Sequence, residues 1–462
     1  MTVTVQILQL LLSLSLLVLI HEFGHFLFAK IFHTRVDKFY LFFNPWFSLF
    51  KKKIGDTVYG IGWLPVGGYV KIAGMVDESM DLEQMKKEPE PWEFRSKPIW
   101  QRLLIMLGGV LMNVVLAFVI YICTLYAYGE SYLPSENLKY GVTCDAIFKE
   151  MGLQNGDIIV SLDDRKVDNF FKVIADILLK DSKTMQVRRG DSLISLEIPL
   201  ATKVALTNAT SAQGERAFIE PRRLLDSMFV GGFADYSAAY DAGVRKGDRI
   251  LTVNGSSFHF YDEFTTMLDT LANKDVKAVV ERKQVETLGQ SSLQSSHKTT
   301  RDTLLFQFRL GADAKFGILF GSTERWDLVA RDYSFTQAIP AGIEKGATAL
   351  SDYVKQFRLI FSPDYKAYKS VGGLISMVNV FPGLWDWHSF WALTALISIM
   401  LAVVNILPIP ALDGGHIILL LYELVTRRKP SVKFMANVQT IGMFIIIALF
   451  MFTCNNDIAR FF

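Results

Sequence analysis

Four long apolar runs dominate the hydrophobic pattern of the chain. They cover residues 5–20, 99–128, 389–425 and 437–453, and each is long enough, or nearly so, to cross a hydrocarbon layer roughly 30 Å thick as a helix. The first run has neither a basic segment nor a small-residue cleavage site before it, which favours a retained membrane helix over a signal peptide. The pattern therefore predicts a polytopic α-helical membrane protein with four transmembrane helices.

The stretch between the second and third apolar runs has a different, soluble pattern and repeats itself. The sequence GLQNGD at residues 152–157 is echoed by GVRKGD at 243–248, and a β-prone run follows each copy. This arrangement is typical of PDZ domains and predicts two external PDZ-like α+β modules, over residues 131–220 and 221–312. Two unrelated tight turns are the alternative. Such modules can bind an extended peptide at a sheet edge, or the pair can act as a size filter.

The charged residues predict how the chain is oriented in the membrane. The chain has 48 Lys and Arg against 46 Asp and Glu, a formal net charge of +2, so its balance gives no electrostatic reason to expect a nucleic-acid partner. Its three cysteines are scattered and predict neither a disulfide framework nor a zinc cluster. Basic residues concentrate between the first and second runs and between the third and fourth, which predicts that both connections are cytoplasmic.

The first apolar run ends in a motif that carries chemistry. His21, Glu22 and His25 form an H-E-x-x-H sequence, and on a helix this spacing places both imidazoles on one face with the carboxylate beside them. Ionisable groups within a membrane helix are costly and point to function. The motif predicts two metal ligands and a general base; histidines and a glutamate satisfied by neighbouring helices are the structural alternative.

Zinc in a catalytic site usually has three protein ligands and one position for water. The third apolar run contains NILPIPALDGGH at residues 405–416, and Asp413 is the best third ligand because it follows a proline-broken stretch and precedes two glycines. His416 is the rival ligand, and a helix N-cap is the structural alternative for Asp413. Asp413 and His21 lie at comparable depths along helices that run in the same direction.

Together these motifs resemble the site-2 protease family of intramembrane zinc metalloproteases, most closely its bacterial RseP-type members with tandem PDZ domains. The resemblance rests on HEFGH, residues 60–71 and 94–102, and NILPIPALDGG. It implies that His21, His25 and Asp413 bind zinc, that Glu22 is the catalytic base and that Asn405 positions substrate.

The chain departs from the family pattern at two places. Residues 108–113 read GGVLMN, where the family often has Gly-Pro before the Asn. Gly372-Gly373 replaces a similar Gly-Pro before the third run. Neither departure touches a proposed ligand.

A transmembrane substrate must be unwound locally before a peptide bond can reach the metal. Residues 57–73 contain two β-prone stretches around Leu64-Pro-Val-Gly-Gly68, which predicts a β-hairpin turning there and re-entering the membrane from the cytoplasmic side. Its edge would pair with the extended substrate, as the resemblance also implies. We expect Gly62, Trp63, Tyr69 and Val70 to contact substrate; an ordinary cytoplasmic hairpin is the alternative.

Two further segments have simpler interpretations. Residues 335–378 have apolar positions at helical spacing, which predicts an amphipathic external helix or one packed against the PDZ-like modules. Residues 289–302, GQSSLQSSHKTTRD, are typical of a flexible loop insertion.

These inferences divide the chain as follows. We expect residues 1–32 to form the first membrane helix with HExxH, 33–98 a cytoplasmic-side interfacial segment and β-hairpin, 99–128 the second membrane helix, 131–220 and 221–312 the PDZ-like modules, 313–388 an external amphipathic segment, 389–425 the third membrane helix, and 437–455 the fourth.

The function expected from the resemblance is zinc-dependent cleavage of single-span membrane proteins in regulated intramembrane proteolysis. A pre-trimmed anti-sigma factor or a signal-peptide remnant is the expected substrate, with the PDZ pair as size filter. We expect a monomer in the bacterial inner membrane, with both termini and the PDZ pair periplasmic and no nucleic-acid partner. A non-catalytic PDZ-bearing scaffold with a structural metal and an ion transporter are the alternatives, and iron or cobalt could replace zinc.

Overall fold

The computed structural model describes residues 2–75, 88–212, 219–288, 296–323, 325–365 and 367–461. The chain forms two compact units. The membrane unit comprises Met1–Glu130, Thr207–Gly214 and Ala330–Phe462, and the inserted unit comprises Ser131–Leu206 and Glu215–Val329.

Helices and strands are numbered here in chain order. The helices are α1 (Thr2–Ile31), α2 (Ile99–Tyr128), α3 (Ala146–Glu150), α4 (Val173–Leu179), α5 (Leu200–Ala212), α6 (Ala238–Asp241), α7 (Tyr261–Asp269), α8 (Phe335–Phe361), α9 (Leu374–Val380), α10 (Trp387–Ile406), α11 (Asp413–Thr426) and α12 (Val432–Phe461). The strands are β1 (Val36–Ile54), β2 (Thr57–Ile72), β3 (Glu130–Tyr132), β4 (Val142–Cys144), β5 (Ile158–Leu162), β6 (Arg165–Lys166), β7 (Thr184–Arg189), β8 (Ser192–Glu197), β9 (Ile219–Pro221), β10 (Met228–Phe233), β11 (Arg249–Val253), β12 (Ser256–Ser257), β13 (Asp275–Leu288), β14 (Ser296–Arg309), β15 (Ile318–Ser322) and β16 (Val329–Arg331).

In the described part of the chain, four helices are long and apolar enough to cross a membrane: α1, α2, α10 and most of α12. Helices α1 and α2 cross where Gly24 faces Gly108, and a Cβ on either glycine would collide with the backbone of the other. Small residues allow this close approach of membrane helices. The crossing presses the HExxH turn of α1 against α2.

The third apolar run is divided rather than continuous. Helix α10 ends at Ile406 and α11 begins at Asp413, and the residues between them include Pro408 and Pro410. A proline removes a helical hydrogen bond and its ring obstructs the preceding turn. The expected single helix over 389–425 is therefore wrong, because only α10 reaches spanning length, and Asp413 begins a second, shorter helix.

Strands β1 and β2 bend to form a small mixed sheet with four segments, in which residues 38–41 run parallel to 58–61 and residues 36–41 run antiparallel to 68–72. Leu41 pairs with both Ile61 and Gly68, so the first half of β1 lies between the two halves of β2. The segments follow the order 48–54, 57–62, 36–41 and 68–72. Residues 68–72 thus form one outer segment of this sheet.

The chain reverses direction over residues 63–67, but residues 36–41 lie between the two halves of β2, so these halves do not pair with each other as a simple hairpin. Strands β1 and β2 are joined at Gly55-Asp56, where Ile54 pairs with Thr57 and Gly55 has a φ of +60°. Glycine reaches this conformation without steric cost. Gly68 follows the reversal over 63–67, lies in β2 and approaches the carbonyl of Tyr40, where a Cβ would be 2.8 Å away.

The inserted unit contains two modules with a similar order of helices and strands. The second has the order β-α-β-β-α-β-β-β from β10 to β15, and the first has the same order from β4 to β9 except that helix α5 lies between β8 and β9. Each has a four-stranded antiparallel sheet, ordered β6-β5-β7-β8 and β12-β11-β13-β14. Strand β15 pairs with β10, so the second module extends to Ser322 and the expected boundary at 312 is too early.

The repeated Gly-Asp motif has the same structural role in both modules. Asp157 and Asp248 each accept a hydrogen bond from the backbone N–H three residues earlier, at 2.8 Å. Asp157 also forms a two-pronged ion pair with Arg189, and Asp248 forms one with Arg282, each at 2.8 and 2.7 Å. Both carboxylates are 1% exposed. The sequence repeat therefore closes a turn and anchors it to the following sheet.

The two modules contact each other through Arg222, which lies between them in the sequence. Its guanidinium binds Asp262 at 3.0 and 3.1 Å and covers the ring of Phe260. From the first module, Asn155 donates to Asp262 at 2.7 Å. This junction fixes one module against the other.

Two other expectations need correction. Residues 296–302 are not a loop, because they lie in β14 and pair with β13 as far as Leu288 and Ser296; residues 289–295 lie outside the described residues. The amphipathic helix α8 packs against α2 within the membrane unit. Gly342 faces Ile122, where a Cβ would be 2.5 Å away, and Gly346 faces Phe118.

Candidate metal centre

The two histidines of the HExxH motif pack against a glycine of α2, which has no side chain to obstruct them. Gly109 lies directly under them, and a Cβ there would come within 2.5 Å of Nε2 of His25 and 2.6 Å of Cε1 of His21. The glycine crossing of α1 and α2 thus leaves the space that the two imidazoles occupy.

Asp413 completes a cluster of three possible metal ligands. Its Oδ2 lies 3.2 Å from Nε2 of His21 and 3.4 Å from Nε2 of His25, and the two Nε2 atoms lie 3.2 Å apart. Because α11 begins at Asp413, the carboxylate projects from the helix start, just after the proline-containing break. His416, the rival ligand, lines the same cavity but is not part of the cluster.

This triangle fits a tetrahedral zinc ion. Zinc binds nitrogen and oxygen at about 2.0–2.2 Å, so neighbouring ligand atoms in a tetrahedron lie about 3.3–3.6 Å apart. The measured separations of 3.2–3.4 Å are close to that range. Oδ2 of Asp413 is buried without a hydrogen-bond donor among the described residues, as suits an atom that binds a cation.

Both imidazoles are oriented by contacts of their other nitrogen. Nδ1 of His25 lies 2.8 Å from the carbonyl oxygen of Ile105 and must donate to it, which leaves Nε2 with its lone pair toward the cluster. Nδ1 of His21 lies 3.3 Å from Nδ2 of Asn113. We did not select Asn113 from the sequence. The available signal was a polar residue four positions after Gly109 in an apolar helix.

Glu22 lies beside the cluster in a cavity of about 640 Å³. The outer segment of the small sheet lines this cavity, and a Cβ on Gly68 would be 3.7 Å from Cγ of Glu22. Asn405, at the end of α10, lines it as well. A carboxylate, three clustered ligand atoms and a sheet edge therefore share one space.

The residues expected to contact substrate separate into two groups. Tyr69 and Val70 line the cavity. Gly62 and Trp63 are not among the described residues that line it. Trp63 donates to the carbonyl of Pro45 at 2.8 Å, and Gly62 packs against the backbone at Phe43.

A buried ion pair near the cavity was also missed. Arg102 of α2 binds Glu423 of α11 through two bonds of 2.9 and 2.7 Å, and both side chains are under 10% exposed. Because α11 begins at Asp413, this pair fixes the helix that carries Asp413. Its sequence signal was a basic residue at the start of an apolar run.

Comparison with known proteins shows which protein family and which named proteins this sequence resembles. Residues 9–449 match the family described as Peptidase family M50. Proteins from Borreliella burgdorferi and Thermotoga maritima, each 24% identical, align with 97% and 98% of this chain and with 96% and 99% of their own lengths. A protein from Vibrio cholerae is 26% identical over 97% of each chain. All three are named "Putative zinc metalloprotease".

Proposed function

The chain belongs to peptidase family M50 and is a zinc-dependent metalloprotease of the membrane, and from that premise we propose that it cleaves peptide bonds within the transmembrane segments of single-span membrane proteins. The observation that carries this proposal is the cavity in which Glu22 lies beside the ligand triangle. That cavity lies between apolar helices and an outer sheet segment, so a substrate segment can enter it from the membrane.

His21, His25 and Asp413 hold the zinc ion in this proposal, and Glu22 is the general base. Zinc, when bound, supplies a Lewis acid that polarises the scissile carbonyl and makes a water molecule acidic. Glu22 accepts the proton of the attacking water and later gives it to the leaving amine. His25 keeps its ring direction through the carbonyl of Ile105.

The outer sheet segment 68–72 would hold the substrate in an extended form. Gly68 packs against Val18 and Glu22 of α1, and Val18 lies about 20 Å along the helix from its end at Ile31. This depth supports a sheet that re-enters the membrane. A substrate strand added beside Tyr69 and Val70 would regain backbone hydrogen bonds lost on unwinding, while the amide of Asn405 holds another backbone group.

The two modules of the inserted unit would be PDZ domains that exclude substrates with large external parts. Their similar element order and the repeated Gly-Asp anchor support the PDZ assignment. The basic connections support an orientation with the modules and both termini periplasmic in a bacterial inner membrane. Pre-trimmed anti-sigma factors or signal-peptide remnants fit a site with such a filter, and a monomer provides every residue invoked here.

The test is to co-express the chain with a pre-trimmed single-span substrate and to measure cleavage and bound zinc. Wild type should bind zinc and cleave. Glu22→Gln should keep zinc and lose at least about 100-fold in cleavage, since general-base catalysis contributes about 10²–10⁴-fold. Asp413→Ala should lose both zinc and cleavage.

The matched controls are Glu136→Gln and Asp235→Ala, which change exposed carboxylates of the inserted unit. Both should behave as wild type. Equal cleavage by wild type, Glu22→Gln and Asp413→Ala would overturn the proposal and leave a scaffold as the better account.

A further inference from the structure

Asn113 is a fully buried amide in the middle of α2 and contacts one proposed zinc ligand. It is 0% exposed, and its Nδ2 lies 3.3 Å from Nδ1 of His21. Its Oδ1 is buried without a hydrogen-bond partner among the described residues. An unpaired buried carbonyl costs about 1–3 kcal/mol, so this orphan atom requires an explanation.

The chemistry of a metal-bound imidazole supplies one. Nε2 of His21 is directed at the cluster, and a neutral imidazole that binds metal through Nε2 carries its proton on Nδ1. Nδ1 must then donate a hydrogen bond. An amide nitrogen cannot accept it, but an amide oxygen can.

A half-turn of the Asn113 amide gives Nδ1 of His21 an acceptor and Oδ1 of Asn113 a donor, and it moves the amide nitrogen to the former position of Oδ1. The oxygen and nitrogen of an amide have nearly the same shape and are distinguished by their hydrogen bonds. After the half-turn, Oδ1 faces Nδ1 of His21 and accepts its proton, so the orphan carbonyl gains a donor. His21 then has the kind of bond that His25 already makes to the carbonyl of Ile105 at 2.8 Å.

We propose that Asn113 is a positioning residue for the metal: its side-chain carbonyl accepts from Nδ1 of His21 and fixes the direction of the His21 ring. The inference rests on the proposed ligand set. Ser398 of α10 donates to the backbone carbonyl of Asn113 at 2.7 Å and does not contact its side-chain amide. Loss of a hydrogen bond behind a metal-binding histidine typically lowers metal affinity about 10- to 100-fold.

The test measures zinc affinity of the purified full chain by competition with a chelator, so it does not depend on activity. Asn113→Leu keeps the approximate shape and removes the acceptor, and Asn113→Ala removes it in a smaller side chain. Both should weaken zinc binding about 10- to 100-fold. Asn113→Asp keeps an acceptor facing His21 and should bind zinc at least as tightly as wild type.

Two controls separate this bond from packing and from the cavity. Ser398→Ala loosens the contact that holds α2 to α10 without touching His21, and Gln439→Leu alters another amide that lines the cavity. Both should keep wild-type zinc affinity. Folded yield and thermal unfolding identify a variant that fails to fold, and the comparison then uses the remaining acceptor-free variant against Asn113→Asp.

The outcomes separate the inference from the proposed function. Wild-type affinity in Asn113→Leu and Asn113→Ala, with zinc lost in Asp413→Ala, overturns the role of Asn113 alone. An equal loss in Ser398→Ala also overturns it, because packing would then explain the effect. Zinc retained by Asp413→Ala overturns the ligand set and with it the proposed function.

Discussion

At the scale of single residues, Gly109 decides whether the two imidazoles of α1 can face Asp413, the proposed third ligand. A Cβ at this position would come within 2.6 Å of both rings, which real side chains do not tolerate. Gly109→Ala should therefore displace His21 and His25 and lower zinc affinity by at least about tenfold, the lower end of the effect of disturbing a ligand's orientation.

Chelator competition on the purified chain measures this effect. Leu111→Ala is the matched control, because Leu111 lies on the same helix with 46% of its surface exposed, and it should leave zinc affinity unchanged. Wild-type affinity in Gly109→Ala would mean that α1 and α2 separate more easily than their glycine crossing indicates.

The sequence was most informative at this scale. The HExxH motif can be recognised in the sequence because its spacing places both histidines on one face of a helix. Asp413 could be selected because carboxylates are rare in apolar runs. Asn113 and Gly109 could not be assigned roles, because these depend on which face of α2 meets α1. That face is set by the Gly24–Gly108 crossing, a contact between segments distant in the sequence.

At the scale of elements, the ion pair between Arg102 and Glu423 holds α11 to α2. Removing one partner of a buried pair leaves an uncompensated charge and typically costs about 3–5 kcal/mol. Arg102→Met and Glu423→Met should each lower the free energy of unfolding by about this amount. Since α11 begins at Asp413, each should also weaken zinc binding.

Thermal unfolding and zinc retention of the full chain in detergent measure the two effects. The double variant Arg102→Met with Glu423→Met is the decisive comparison, because apolar replacement of both partners is often neutral or stabilising. It should recover most of the stability. A double variant as unstable as the sum of the single variants would show that the pair does not act as a unit.

Element boundaries show why the sequence was less informative at this scale. The Gly-Gly at 67–68 lies at a reversal of the chain, but the sequence did not indicate the second turn at Gly55-Asp56 or the position of residues 36–41 between the two halves of β2. Gly68 also allows β2 to approach β1 closely, and a local pattern cannot distinguish a turn glycine from one that permits close approach. Residues 296–302 looked like a loop because they are polar, but both strands of a long hairpin can carry polar side chains when exposed.

At the scale of the whole molecule, the proposed filter depends on the inserted unit as a bulky object. The Arg222 junction supports this, because it ties the two modules together through Asp262 and Asn155. A fixed pair excludes large substrates better than two modules on a loose tether. Arg222→Ala should therefore increase cleavage of untrimmed substrates and leave cleavage of trimmed ones unchanged.

Removal of the whole inserted unit is the stronger test, and the fold suggests how to make it. Strands β3 and β16 pair, and Gly129 lies against the carbonyl of Arg331, where a Cβ would be 2.8 Å away. A short flexible Gly/Ser linker can therefore replace residues 131–329, which are the inserted unit together with the Thr207–Gly214 segment of the membrane unit, without straining α2 or α8. If the unit excludes bulk, the shortened chain should cleave untrimmed and trimmed substrates at similar rates, whereas wild type should cleave only trimmed ones. Glu22→Gln in the shortened chain is the control for other proteases, and zinc content shows that the centre is intact. A shortened chain that binds zinc and cleaves trimmed substrate but still rejects untrimmed substrate would place the selection within the membrane unit.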